Sequence, residues 1–180
     1  MRNENKFIED YEKLSRLTNA LAENGRTIVV TIGSWDMLHI GHVRYLMNAR
    51  THGDILVVGV DSDRAVNLYK GEFRPIVPQK ERVEMLSYLS CVDYVTTVDD
   101  VGEEEGWKFG LIEKIKPHIY IAVEDSYPEE QRTAIKRFCG ELVVLPRQAE
   151  NTSTSNFVQR ILKGHLGRVQ EIIQEMVGEV

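Results

Sequence analysis

The chain has 180 residues, 42% hydrophobic and 28% charged, which is the balance of a globular protein long enough to bury a core as one domain. Its formal net charge of -6 argues against a general nucleic-acid surface, which needs a basic face. No apolar run approaches the ~18 residues of a membrane span. The polar start Met1-Arg-Asn-Glu-Asn-Lys6 lacks a signal-peptide core, so a cytoplasmic protein that binds neither nucleic acid nor membrane is expected.

Phe7, Tyr11, Leu14 and Leu21 recur at helical spacing and predict an amphipathic helix over 7–23, ended by Asn24-Gly25. Thr27–Ile32 is a continuous β-branched run, as in a strand buried on both faces. A helix follows over 41–52, then a second buried strand over 54–60 and a helix over 62–69. Residues 70–79 read as a loop, 79–90 as a helix and 93–98 as a strand. The acidic stretch Asp99 to Glu105 reads as a solvated loop. A helix over 107–116, a strand over 118–123, a helix over 128–139 and a strand over 142–145 come next, and two helices, 154–163 and 166–177, close the chain. Cys91 and Cys139 lie far apart in apolar segments, as buried thiols do, and no Cys/His spacing suits zinc.

Strands alternating with helices imply right-handed βαβ units, hence an α/β fold: a doubly wound, Rossmann-like parallel sheet of five strands. We read 1–180 as a single domain: leading helix 7–23, core 26–163 and C-terminal helix 166–177. Ligands in such folds bind beyond the C-terminal ends of the strands, which directs attention to 33–41, 61–63, 124–127 and 146–154.

Three clusters fall in or beside those loops. Gly33-Ser-Trp-Asp-Met-Leu-His-Ile-Gly-His42 joins the first strand to the next helix. Its glycines admit close backbone approach, and His39 and His42 stand at a helix start, where free N–H groups and the dipole favour phosphate. His42 projects onto the face shared by Tyr45, Leu46 and Ala49, where a polar ring needs a partner. A carbonyl would satisfy one such histidine; a pair with two glycines points to phosphate. The motif is not the Gly-x-Gly-x-x-Gly of dinucleotide sites. The second cluster, Lys70, Arg74, Lys80 and Arg82, is basic within an acidic protein. Arg82 lies on the apolar face of its helix with Val83, Leu86 and Leu89, and there it needs an anion. A carboxylate of the protein could be that anion; a triphosphate oxygen is the other candidate, because guanidinium matches phosphate in two hydrogen bonds. Lys70 is either a surface lysine or a group that folds over the same phosphates. Third, Thr152, Ser153, Thr154 and Ser155 precede an apolar helix pattern, and four hydroxyls exceed what an N-cap uses.

Together these residues resemble the cytidylyltransferase-like nucleotidyltransferase superfamily, whose pattern is a strand, Gly-x-Phe-Asp-x-Leu-His-x-Gly-His, and a late Ser-Thr-Thr or Ser-Thr-Ser. The likeness spans about 26–163. Lys70-Gly-x-x-Arg74-Pro75 with Glu81-Arg82, Met85-Leu86 and Val92-Asp93 is most similar to the heptose 1-phosphate adenylyltransferases, as is the leading helix. Leu145-Pro-Arg147 instead resembles the glycerol-3-phosphate cytidylyltransferases. Three features depart from the pattern. Trp35 replaces Phe. Ala122-Val-Glu-Asp-Ser-Tyr127 keeps only Asp125 and Tyr127 of the heptose group's Lys-Gly-Gly-Asp-Tyr. The segment from Arg147 to Thr152 is one residue longer than its cytidylyltransferase counterpart.

The resemblance implies that a substrate phosphate attacks the α-phosphorus of an NTP, ATP or CTP, in line and releases pyrophosphate, with Mg²⁺ carried by the substrate. His39 and His42 would stabilise the α-phosphate and leaving group, and Lys70 and Arg82 the β- and γ-phosphates. Ile32, Gly33, Ser34, Asp36, Gly41, Arg74, Glu124, Ser153, Thr154 and Ser155 would complete the nucleotide site. Asp36, Asp63, Asp125 and Arg147 would meet the acceptor, a small phosphorylated sugar or polyol. A homodimer is implied as well. Leu166, Val169, Ile173 and Met176 form an apolar stripe that either packs back on the domain or meets a partner chain. A catalytically silent nucleotide-binding module is the rival reading, since fold alone does not fix function.

Overall fold

The computed structural model describes residues 6–102, 106–150 and 152–178. Its elements are α1 (Tyr11–Glu23), β1 (Ile28–Gly33), α2 (Ile40–Arg50), β2 (Ile55–Asp61), α3 (Asp63–Lys70), α4 (Gln79–Ser87), β3 (Tyr94–Val98), β4 (Val101–Gly102), β5 (Gly106–Trp107), α5 (Gly110–Ile115), β6 (Ile119–Val123), α6 (Glu129–Ile135), β7 (Glu141–Leu145) and α7 (Thr154–Gly178). β3, β2, β1, β6 and β7 form a parallel sheet in that order, the expected doubly wound arrangement. β4, within the stretch read as an acidic loop, pairs antiparallel with β5 just beyond it. Residues 103–105 of that stretch lie outside the described residues.

Alternation along the strands builds two cores. Val29, Leu56, Val58, Val60 and Ile121 face Tyr45, Leu46 and Ala49 of α2 and Val83 and Leu86 of α4. Ile28, Val30, Val57, Tyr120 and Ala122 face Leu14 of α1, Leu111, Ile112 and Ile115 of α5 and Ile135 of α6. Both faces of each central strand are therefore apolar, which is why these strands read as unbroken hydrophobic runs.

Two expectations are corrected. The leading helix starts at Tyr11, not at 7. The Asp10 side chain accepts from Glu12 N at 2.8 Å and Lys13 N at 3.3 Å, a cap that fixes the helix start. Residues before it run beside β3, with Val95 N donating to Lys6 O at 2.8 Å and Ile8 N to Val95 O at 2.9 Å. The two closing helices are one, because an interior Gly164 weakens a helix by about 1 kcal/mol relative to Ala but does not end it. α1 packs on the domain: Leu14 is fully buried and the Ser15 hydroxyl donates to Lys114 O.

Candidate active site

A cleft of about 600 Å³ opens at the carboxyl ends of the central strands, where strand order reverses between β1 and β6. The loop between β1 and α2 supplies Gly33, Ser34, Trp35 and His39 to its wall. Trp35 and Met37 hold left-handed backbone there, φ 51° and 50°, which costs roughly 1–2 kcal/mol per non-glycine residue. Trp35 anchors the turn: its indole N–H donates to Gly59 O at 2.8 Å, and its ring meets His42 edge-on at 5.5 Å. A Cβ on Gly33 would lie 3.2 Å from that indole, so glycine makes room for the tryptophan.

Asp36 is the buried hub of the loop. Its carboxylate accepts from Arg74 Nε at 2.7 Å, from Ile76 N at 3.0 Å and from Val77 N at 2.9 Å, clamping residues 74–77 against the motif. Burial pushes its pKa up, but the two N–H groups and the guanidinium outweigh burial and hold it below the ordinary value. Asp36 is thus spoken for by protein donors and does not line the cleft.

His39 caps α2. Its Nδ1 accepts from Gly41 N at 3.1 Å, which assigns the proton of the neutral ring to Nε2. The His39 and His42 rings stack with centroids 3.8 Å apart. Gly41 fits between His39 and Ala149, where a Cβ would meet both at 3.0–3.1 Å. Burial lowers the pKa of His39, and burial with the neighbouring His39 and Lys70 lowers that of His42 to about 3. Both rings are therefore neutral at pH 7 in the free protein. Nδ1 of His42 is buried without a hydrogen-bond partner, and so is Nη2 of Arg74. A buried polar atom left unpaired costs about 1–3 kcal/mol, so two of them on residues that line one cleft mark a place built for a ligand.

The other expected residues divide. Ile32, Gly33, Ser34, Lys70, Asp125, Arg147, Ser153, Thr154 and Ser155 line the cleft with the histidines. Lys70 Nζ donates to Ser34 Oγ at 2.7 Å, and its pKa is lowered by burial and by Arg74. Ser153 is the N-cap of α7, accepting from Asn156 N at 3.1 Å, and the buried Thr154 hydroxyl donates to Asp36 O at 2.8 Å. Arg147 donates to Asp125 from Nε at 2.6 Å in an exposed pair.

Arg82, Asp63 and Glu124 stand elsewhere. Arg82 is fully buried, as its place on the apolar face of α4 requires, but its anion is a carboxylate. Nη2 donates to Asp63 Oδ1 at 2.7 Å, Nε to Val77 O at 2.9 Å and Nη1 to Ser34 O. Arg82 thus braces the loop ends from behind, and Asp63 is occupied by Arg82 and by Gln79 N at 2.8 Å. Glu124 is exposed and accepts from Arg147 N at 3.3 Å, outside the cleft lining.

The sequence reading missed Asp61 and Tyr69, and noted Tyr127 only as a kept motif residue. Asp61 is 4% exposed and lines the cleft; Tyr69 donates to its Oδ2 at 2.6 Å, and no protein donor meets Oδ1 among the described residues. Burial raises its pKa to about 6 against the pull of Tyr69, Lys70 and Arg82. Its signal was a carboxylate ending an otherwise apolar strand at the binding edge of the sheet. Tyr127 meets the Tyr120 hydroxyl at 2.9 Å beneath the cleft. Among the described residues no group of three or more His, Cys, Asp and Glu is placed to hold a metal ion. No described helix is long and apolar enough to cross a membrane.

Comparison with known proteins bears on the family and the fold. The chain is 39% identical over 158 residues to the bifunctional protein HldE of Pelobacter propionicus, covering 87% of this chain and 31% of that protein. It is 35% identical over 160 residues to HldE of Geobacter metallireducens, covering 88% and 31%. The chain thus spans about a third of the length of these curated relatives. The crystal structure of the lipopolysaccharide core biosynthesis protein from Thermoplasma volcanium matches with a TM-score of 0.59 and 26% identity, over 68% of this chain and 98% of that one. Pantoate-beta-alanine ligase from Francisella tularensis shares the fold, with a TM-score of 0.55 and 14% identity over 80% of this chain and 67% of its own. The cytidylyltransferase-like family model matches residues 30–160, from β1 to the first turns of α7. That span carries all the strands and loops that build the cleft, and the chain belongs to the cytidylyltransferase-like family, as a nucleotidyltransferase.

Proposed function

We propose that the cleft transfers a nucleoside monophosphate from an NTP to the phosphate of a small phosphorylated sugar or polyol and releases pyrophosphate. The observation that carries this reading is the stacked His39–His42 pair at the start of α2, with His42 Nδ1 and Arg74 Nη2 buried and unpartnered on residues that line one cleft. An acceptor phosphate oxygen bonds to the α-phosphorus as the bond to the β-phosphate oxygen breaks, and pyrophosphate leaves with the electron pair. The attacking phosphate is already ionised, so the step needs no general base. Catalysis is positioning and stabilisation of charge that shifts onto pyrophosphate. The neutral histidines donate N–H hydrogen bonds to the phosphates, Lys70 and Arg74 supply charge, and the hydroxyls of Ser153 and Ser155 frame the phosphates at the start of α7.

A buried carboxylate among phosphates repels them unless it meets a donor. Asp61 therefore faces a hydroxyl of the acceptor, which supports a sugar or polyol phosphate. The pattern Lys70-Gly-x-x-Arg74-Pro75 and the likeness to HldE and to a lipopolysaccharide core biosynthesis protein favour ATP with a heptose-1-phosphate-like sugar. Leu145-Pro-Arg147, which puts Arg147 on the cleft wall, favours CTP with glycerol 3-phosphate as the second reading. Mg²⁺ would ride on the triphosphate, with substrate oxygens and water as its ligands and charge neutralisation as its contribution; Asp125 is a cleft carboxylate suited to a metal-bound water. The cytoplasm, where NTPs are abundant, is the proposed compartment. Pyrophosphate release, measured with each of the four NTPs against sugar 1-phosphates and glycerol 3-phosphate, tests the reading and separates it from a silent nucleotide-binding module.

A further inference from the structure

Four polar side chains of the cleft are joined end to end, and the sheet register explains why. β1 and β2 run parallel with Gly33 opposite Val60, so Ser34 and Asp61 leave the two strand ends side by side. α3 follows β2 directly and brings Tyr69 and Lys70, in its last turn, back to the same edge. All four residues line the cleft. Lys70 Nζ donates to Ser34 Oγ at 2.7 Å, the Ser34 hydroxyl donates to the Tyr69 oxygen, and Tyr69 donates to Asp61 Oδ2 at 2.6 Å. Lys70 Nζ also stands 5.6 Å from the centroid of the Tyr69 ring.

The chemistry of the groups fixes the direction of each bond. An ammonium only donates and an ionised carboxylate only accepts, while each hydroxyl has one proton to give. Ser34 accepts from Lys70 and gives its proton to Tyr69, and Tyr69 gives its own to Asp61. Burial and the neighbouring Asp61 both raise the pKa of Tyr69, so the phenol keeps the proton that it donates. The chain therefore runs one way, from a cation to an anion, and hydrogen bonds aligned in this manner strengthen one another. It ends on Oδ2 of Asp61 and leaves Oδ1 for a donor from outside the protein.

The two ends serve different substrates in the reaction proposed above. Lys70 keeps two further N–H donors for triphosphate oxygens, and Asp61 Oδ1 faces the acceptor. An anion on Lys70 holds its Nζ in place, and with it every proton along the chain. We infer that Ser34 and Tyr69 are positioning residues that couple the two subsites: NTP held by Lys70 orders the chain, and the ordered chain presents Asp61 Oδ1 to a hydroxyl of the acceptor. The inference rests on the proposed roles of Lys70 and Asp61. Coupling is reciprocal, so the acceptor tightens NTP binding by the same factor. A chain that merely held α3 to the sheet would add stability and leave the two affinities independent.

Calorimetric binding, not turnover, tests this, with unreactive α,β-methylene-ATP or α,β-methylene-CTP and with mannose 1-phosphate, glucose 1-phosphate and glycerol 3-phosphate. On wild type the analogue should tighten at least one acceptor by about 5-fold or more, the lower end for coupled sites. Tyr69→Phe keeps the ring and removes the link. It should still bind the analogue, yet the analogue should then change acceptor affinity by less than about 2-fold, the margin for independent sites. Ser34→Ala breaks the chain one link earlier and should lose the coupling equally; it carries the test if Tyr69→Phe does not fold. The double variant should lose no more than either single, because links of one chain are not additive. Variants that lose thermal stability but keep the coupling would mark a structural network and overturn the inference. So would a wild type in which the analogue leaves acceptor affinity unchanged. A wild type that couples the ligands but releases no pyrophosphate from natural NTPs would reject the proposed reaction and uphold the coupling.

Discussion

Arg74 donates Nε to the buried carboxylate of Asp36 at 2.7 Å, and its Nη2 has no protein partner. One guanidinium is thus fixed at one edge and left open at another. Asp36 also holds the N–H groups of Ile76 and Val77, so the loop that presents Arg74 to the cleft is tied to the loop that presents the histidines.

Arg74→Lys keeps the charge and loses the fork. Loss of a charge-assisted hydrogen bond is worth about 1.5–3 kcal/mol, so kcat/KM for NTP should fall roughly 10–100-fold. Steady-state kinetics checks this, and an unchanged kcat/KM would remove Arg74 from the phosphate site.

Arg82 should behave in the opposite way. Arg82→Ala leaves the Ser34 and Val77 carbonyls and the Asp63 carboxylate without their donor. Chemical denaturation should report a loss of at least about 3 kcal/mol, the lower end for breaking a buried pair because Asp63 is half exposed. The KM for NTP of the folded fraction should move less than in the Arg74 variant. Intact stability with abolished NTP binding would show that the buried guanidinium serves phosphate after all.

Asp61 should carry a stability penalty in exchange for its role. Its pKa is raised from 3.8 to about 6 in the folded state. The group therefore contributes stability that is full below pH ~4 and lost as pH rises through ~6, on the order of 3 kcal/mol at 1.36 kcal/mol per unit. Asp61→Asn should be more stable than wild type at pH 8 by up to that amount and close to wild type at pH 4. His42, with its pKa lowered to about 3, drives the opposite trend as pH falls below 6.5, but equally in both proteins, so the difference isolates Asp61. The same variant should raise the KM for the acceptor while leaving that for NTP nearly unchanged. Equal stability at both pH values would refute the buried, charged assignment.

The sheet was readable because β1, β2 and β6 are apolar on both faces, which no amphipathic helix imitates. The histidine pair was readable because glycines bracket it at a strand-to-helix turn. Arg82 shows the limit. Its inward direction followed from helical spacing, but its anion lay on α3, nineteen residues earlier, and tertiary contact alone decides between a carboxylate and a phosphate. Asp36 was read as a ligand-facing carboxylate for the same reason; its partners are backbone N–H groups forty and forty-one residues on, which side-chain patterns do not report. Asp61 was passed over because it sits at the strand end, one residue before the helix cap Ser62, in a place where an acidic residue looks like ordinary turn chemistry.

The central claim is that the histidine pair performs nucleotidyl transfer, and pyrophosphate release by wild type and His42→Ala tests it most directly. With Mg²⁺, the preferred NTP and a sugar or polyol phosphate, wild type should release one pyrophosphate per acceptor consumed. His42→Ala should lower kcat by roughly 10²–10³-fold, as loss of one transition-state donor does, while nucleotide binding changes only a few-fold. A wild type that binds nucleotide but releases no pyrophosphate with any of these acceptors, or a His42→Ala variant with full kcat, would contradict the account.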